Sequence, residues 1–163
     1  MNRVVAALVA LAAFTPIIAA RADHDAPHCK TIHADLEEDR ATTGCRAPAT
    51  VCFFGQVLGN HGFRGTTYFN ADSVIDGPPT APEGFIAYSG VFEYQLRDGN
   101  IVARETGISN RSVGTPQAGA VTTYQQIVSG TGAFAGATGH FYVFGRNTDG
   151  HIVTEVRGEL CAP

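Results

Sequence analysis

Residues 130–145 read GTGAFAGATGHFYVFG. Five of the sixteen are glycine, yet Phe134, Phe141, Tyr142 and Phe144 stand among them. A helix does not tolerate this density, since each interior glycine costs about 1 kcal/mol relative to alanine. A flexible linker does not carry four aromatic rings. A tight turn feeding a β-strand satisfies both observations. SGTG (129–132) predicts a hairpin turn with positive φ. Phe134 is expected to begin the next strand and plug one end of the fold. Gly136 and Gly139 let that strand bend and approach its neighbour. GTGAFAG also has the look of a phosphate loop, but no helical pattern follows it, so the helix N-terminus that would hold a phosphate is missing.

Working outward, the same β character extends over most of the chain. VCFFGQVLG (51–59), FRGTTYF (63–69), FIAYSGVFEYQL (85–96), IVARETGIS (101–109), AVTTYQQIV (120–128), FYVFGR (141–146) and HIVTEVRGEL (151–160) are rich in β-branched and aromatic residues. Several alternate with period two, as strands do. Turn signals separate them: Gly59-Asn60, DGPPTAPEG (76–84), RDGN (97–100), GTPQAG (114–119) and TDG (148–150). RDGN and TDG each join two strand-like runs and predict hairpins. No run past residue 50 carries a helical stripe, and no repeat marks a propeller. Seven or eight antiparallel strands make a closed barrel or a sandwich, and the glycines inside the runs (Gly55, Gly65, Gly90, Gly107, Gly136) suit the coiling of a barrel.

The N-terminal third differs. Arg3, the apolar run Val4–Phe14, Pro16 and Ala20-Arg21-Ala22 fit a secretory signal peptide over residues 1–22. No other stretch is long and apolar enough to span a bilayer as a helix. A secreted location, extracellular or periplasmic, is therefore expected. Without Arg3 and Arg21 the basic residues fall from 11 to 9 against 15 acidic ones, a net charge of −6. This argues against nucleic acid or an anionic membrane as a partner. Residues 23–50 are polar, and are expected to form an irregular segment lying across the exterior of a β domain spanning 51–163. Within it, ADLEED (34–39) could make one short helical turn, and its acidic run is the pattern of a solvated face. Four cysteines, Cys29, Cys45, Cys52 and Cys161, in an exported chain predict two disulfides. None has the C-x2-C spacing of a zinc site.

Among polar candidates, Glu93 is a mid-strand carboxylate that could serve as acid or base, but Phe92 and Tyr94 take the opposite face, which favours an outward position. Glu105 shares its face with Ile101, Ala103 and Gly107, making it the better candidate for a buried functional carboxylate. Tyr124 and Arg146 could supply a hydrogen-bonding partner; otherwise they are rim or surface residues. His24, Asp25, His28 and His33 have metal-binding chemistry, but on a mobile tail they would order a metal poorly, and no metal site is assigned. His61 and His140 have no evident partner. Neither a Gly-x-Ser-x-Gly elbow nor a His-Glu-x-x-His helix occurs.

IVSGTGAFAGATGHFYVFG (127–145) resembles a strand–turn–strand signature of allene oxide cyclase-like barrels and the related dirigent proteins, with Gly130, Gly132, Phe134, Ala137 and Gly139 matching. YSGVFEYQLRDGNIVARETG (88–107) is similar to the hairpin that precedes it. The resemblance implies an all-β, eight-stranded antiparallel closed barrel with a largely apolar lumen. It implies a small apolar or phenolic ligand, cofactor-free isomerisation or cyclisation by confinement, and is compatible with a homo-oligomer. A non-catalytic extracellular binding or structural module of the same fold is the alternative. In such a barrel Phe92, Tyr94, Tyr124, Phe141 and Val143 are expected to contact the ligand, with Glu105, then Glu93, as catalytic carboxylates. Taking 51–59 as the first strand makes it a neighbour of the last, which predicts the pairs Cys52–Cys161 and Cys29–Cys45.

Overall fold

Period-two alternation extends further toward the N-terminus than the aromatic runs suggest. In the computed structural model, which describes residues 28–49, 51–81, 84–110 and 119–162, Ile32, Ala34, Leu36 and Glu38 are buried while Thr31, His33, Asp35, Glu37 and Asp39 are exposed. These residues form strand β1 (His28–Arg40). It is followed by β2 (Cys52–Gly59), β3 (Arg64–Asp76), β4 (Phe85–Leu96), β5 (Gly99–Asn110), β6 (Gly119–Gly130), β7 (Thr138–Thr148) and β8 (His151–Ala162). All neighbours are antiparallel, and β1 pairs with both β2 and β8, so the sheet closes into an eight-stranded barrel. The expected barrel is thus observed.

The expectation of an irregular segment over 23–50 is corrected. Its residues 28–40 are a wall strand in register with β8 from His28↔Ala162 to Asp39↔His151. Of the histidine cluster, His28 and His33 lie in that strand and not on a tail. Residues 41–49 alone match the expected exterior covering. His24, Asp25 and the signal peptide with its boundary at residue 22 lie outside the described residues.

The disulfides are corrected too. They are Cys29–Cys161 and Cys45–Cys52, with Cα–Cα separations of 3.9 and 5.4 Å. The seam of the barrel runs between β1 and β8, where Cys29 and Cys161 are register partners. Cys45 instead ties the β1–β2 connection back to the start of β2. That connection lies on the outer wall over Tyr68: Arg46 stacks on its ring, 4.4 Å from the centroid, and its hydroxyl donates to Asn70 Oδ1 (2.7 Å).

The opening glycine-rich stretch turns as expected, with one change. Gly132–Phe134 forms a single 3₁₀ turn and β7 begins only at Thr138. Phe134 therefore packs against the core from the turn rather than from the strand. Gly139 is the position where close approach demands glycine: its φ is +132°, and a Cβ would fall 2.1 Å from the Glu159 carbonyl oxygen. At this end of the barrel Phe63, Tyr94 and Phe141 form a three-ring plug, with centroids 4.9–5.7 Å apart. All three are buried. The only helical element among the described residues is the 3₁₀ turn, so no helix there is long and apolar enough to cross a membrane.

The two bridges enclose very different lengths of chain, with sequence separations of 132 and 7. The chain-entropy relation then assigns about 5 kcal/mol to the seam bridge and about half that to the local one. Replacing Cys29 and Cys161 together by serine is expected to lower the thermal midpoint by about 10 °C or more. The Cys45/Cys52 double replacement is expected to lower it by clearly less. Calorimetry on both variants checks the order.

Candidate functional site

Above the aromatic plug the lumen is hollow. A cavity of about 370 Å³ opens at the end of the barrel that carries Arg40 and Asp149. Leu36, Phe53, Phe69, Phe92 and Val143 supply apolar wall; Glu38, Tyr88, Glu105, Ser109, Thr123 and Thr154 supply polar groups. An apolar cavity of this size with a few convergent polar groups is the usual form of a small-molecule site.

Glu105 points inward from β5, opposite Gln125 on β6, and both are buried. Gln125 Nε2 donates to Glu105 Oε2 (2.6 Å), while Tyr94 Oη donates to Gln125 Oε1 (2.6 Å). This chain ties the carboxyl to the plug and fixes the orientation of the amide. Tyr88 faces the same carboxyl from β4. The register makes Tyr88 the partner of Gly107, two residues along β5. A Cβ at Gly107 would meet the Tyr88 hydroxyl and Thr123 Cγ2, each at 2.8 Å, so the absent side chain is what admits the phenol. Burial pushes the Glu105 carboxyl up to about 7, with hydrogen bonding from Gln125 and then Tyr88 pulling the other way. Burial also pushes the Tyr88 and Tyr94 phenols up, so both remain hydrogen-bond donors.

A second carboxylate lies across the lumen. Glu38 comes from β1, which is diametrically opposite β5 in the ring. It is buried, and Thr67 Oγ1 donates to its Oε1 (3.1 Å). Burial first, and repulsion from Glu105 second, raise it to about 8. The sequence reading missed this residue because it sits in the acidic run DLEED. The available signal was parity: Ile32, Ala34 and Leu36 place Glu38, and neither Glu37 nor Asp39, on the inward face.

The other expected site residues divide by wall. Phe92 and Val143 line the cavity, whereas Tyr94 and Phe141 lie beneath it in the plug. Glu93 is corrected as a catalytic candidate. It faces outward and forms a two-point ion pair with Arg46, whose Nη2 lies 3.1 Å from Oε2, clamping the outer connection. Tyr124 is corrected as a ligand contact. It is an exposed residue of the outer wall, stacked on His140 at 5.8 Å, because Thr123 and Gln125 take the inward positions of β6. Arg146 is likewise exposed. Among the described residues, one group of three metal-ligand types lies close together, Cys29, Glu159 and Cys161, and its two sulfurs are bonded to each other. No protein-family model, curated protein or solved structure matches this chain.

The carboxyl pair makes stability depend on pH with a definite sign. Both groups have folded values, about 7 and about 8, above the ordinary 4.5. Their contribution is fully present below 4.5. It is lost as pH rises, because the unfolded chain ionises first, and the loss is complete above about 8. Each unit of separation corresponds to about 1.4 kcal/mol. Urea unfolding is expected to show stability falling by roughly 2 kcal/mol or more across this window. The Glu38→Gln/Glu105→Gln variant is expected to flatten the fall; an unchanged slope would place its origin elsewhere.

Proposed function

We propose that the barrel is an exported, cofactor-independent isomerase or cyclase acting on a small apolar or phenolic molecule held in its lumen. The observation that carries this reading is the pair of buried carboxyl groups, Glu38 and Glu105, on opposite walls of one open-ended apolar cavity. A stable wall needs neither group there, since an ionised carboxylate in an apolar interior is costly. Carboxyls with raised values exchange protons near neutral pH, where general acid–base catalysis is most effective. The apolar walls exclude water and hold reacting atoms in a fixed geometry. Glu105, anchored through Gln125 to Tyr94, is the base in this reading; Glu38 is the acid across the lumen. The resemblance of 127–145 to the allene oxide cyclase-like and dirigent barrels supports the same chemistry. Export is supported by the leader-like residues 1–22 and by two disulfides.

The test is a thermal-shift screen of apolar carboxylic acids and phenols, followed by turnover of the hits in deuterated water. Incorporation of deuterium into product is expected, as is a fall in kcat/KM of about 10²–10⁴ for Glu105→Gln without a drop in thermal midpoint. Binding without turnover would select the non-catalytic binding module. Turnover unaffected by the substitution would reject the assigned role.

A further inference from the structure

The cavity contains two polar groups that the proton-transfer pair does not use. Ser109 on β5 and Thr123 on β6 line it, both are 4 % exposed, and neither hydroxyl has a hydrogen-bond partner among the described residues. Lumen threonines in this barrel are otherwise satisfied: Thr67 donates to Glu38, and Thr154 donates to the Leu36 carbonyl (3.4 Å). The orphan pair is therefore not the rule of this interior. A valine and an alanine would pack the same wall without burying an unpaired hydroxyl.

The register places these groups in line with the carboxyl. Glu105 is opposite Gln125, Gly107 is opposite Thr123, and Ser109 is opposite Val121. Moving from the plug toward the mouth, the β5–β6 wall thus presents a carboxyl, then a hydroxyl, then a hydroxyl. The strand rise puts the Thr123 level about 7 Å above Glu105 and the Ser109 level about 13 Å above it. Gly107 carries no side chain between them, and the Tyr88 hydroxyl and Thr123 Cγ2 close over it. Phe53, Phe69, Val74 and Ile86, from β2, β3 and β4, give the cavity apolar wall.

We propose that Thr123 and Ser109 form a second polar subsite, so that the lumen selects an elongated molecule with an apolar body and two oxygen functions. One oxygen hydrogen-bonds at Glu105; the other, a hydroxyl or carbonyl, bonds the Thr123 hydroxyl or the Ser109 hydroxyl. A hydroxyl group both donates and accepts, so the subsite takes a neutral oxygen of either kind. This rests on the reading of the lumen as a ligand site and adds the spacing and number of polar groups on the ligand.

Naphthalene, 2-naphthol and 2,6-naphthalenediol test it as rigid probes with zero, one and two oxygens, the last at opposite ends of the fused rings. The chain has no tryptophan, so probe fluorescence is read directly. The wild-type protein is expected to bind the diol about fivefold to tenfold more tightly than the mono-ol. Ser109→Ala/Thr123→Val is expected to abolish that difference while leaving the affinity for 2-naphthol unchanged. Its thermal midpoint is expected not to fall, because each lost hydroxyl was unpaired. Equal binding of diol and mono-ol by the wild type, or a preference that survives in the double variant, overturns the subsite alone. Failure of all three probes to bind overturns the lumen reading and the subsite with it.

Discussion

Everything in this molecule depends on closure of the sheet by β1. The strand is paired along nearly its whole length with β8 and along its second half with β2, and it joins the two ends of what is otherwise a seven-stranded sheet. Without it, β2 and β8 would be open edges and the lumen would be a wet groove. A carboxyl in such a groove would be hydrated and would titrate normally. Closure is what removes water from around Glu105, and the strand that closes the wall also delivers Glu38. The Cys29–Cys161 bridge sits across that seam. Closing the sheet and creating the acid–base environment are consequences of one pairing.

The lumen is loaded unevenly along its axis. One end is filled by the rings of Phe63, Tyr94 and Phe141, which form an apolar floor. Above it comes a belt of polar groups, satisfied where it meets the floor and unsatisfied toward the mouth. Tyr94, Gln125 and Glu105 form a continuous donor–acceptor chain at the lower level. Ser109 and Thr123 above them have no hydrogen-bond partner among the described residues. A barrel selected for stability alone would fill this space with branched aliphatic side chains, as small barrels do. Departures from local consistency of this kind concentrate at functional sites.

Much of the wall was legible in the sequence because strands with a dry face and a wet face carry period-two patterns. This gave β2 to β8 within a few residues at most ends, and it made Glu105 the better candidate for a buried carboxylate. Three features were hidden for physical reasons. β1 has small or charged residues at half of its inward positions, Ala34 and Glu38, so its alternation does not read as hydrophobic. Omitting it moved the seam by one strand, and the cysteine pairing followed that error: Cys161 was matched to Cys52 rather than Cys29. β6 mixes polar and apolar residues on both faces: Val121, Thr123, Gln125 and Ile127 are inside, while Thr122, Tyr124, Gln126 and Val128 are outside. The inward Gln125 serves Glu105, a tertiary requirement that no local pattern encodes.

The two carboxyls are alike in chemistry and burial but differ in support. Glu105 accepts from an amide that is itself held by a phenol, and the Tyr88 hydroxyl faces it as well. Among the described residues, Glu38 is supported by the Thr67 hydroxyl. Hydrogen bonds donated to a carboxylate favour its charged form, so Glu105 is the first of the pair to ionise. Once it has, its charge acts across the lumen to keep the proton on Glu38. Both carboxyls are held above the ordinary range, and repulsion from Glu105 raises Glu38 further, so the β1 wall is the side that retains its proton when the β5 wall ionises. An asymmetric pair of this kind assigns acid and base by environment rather than by residue type. In the proposed reading, the proton leaves the ligand toward β5 and returns to it from β1, the two walls that the closed sheet sets opposite each other.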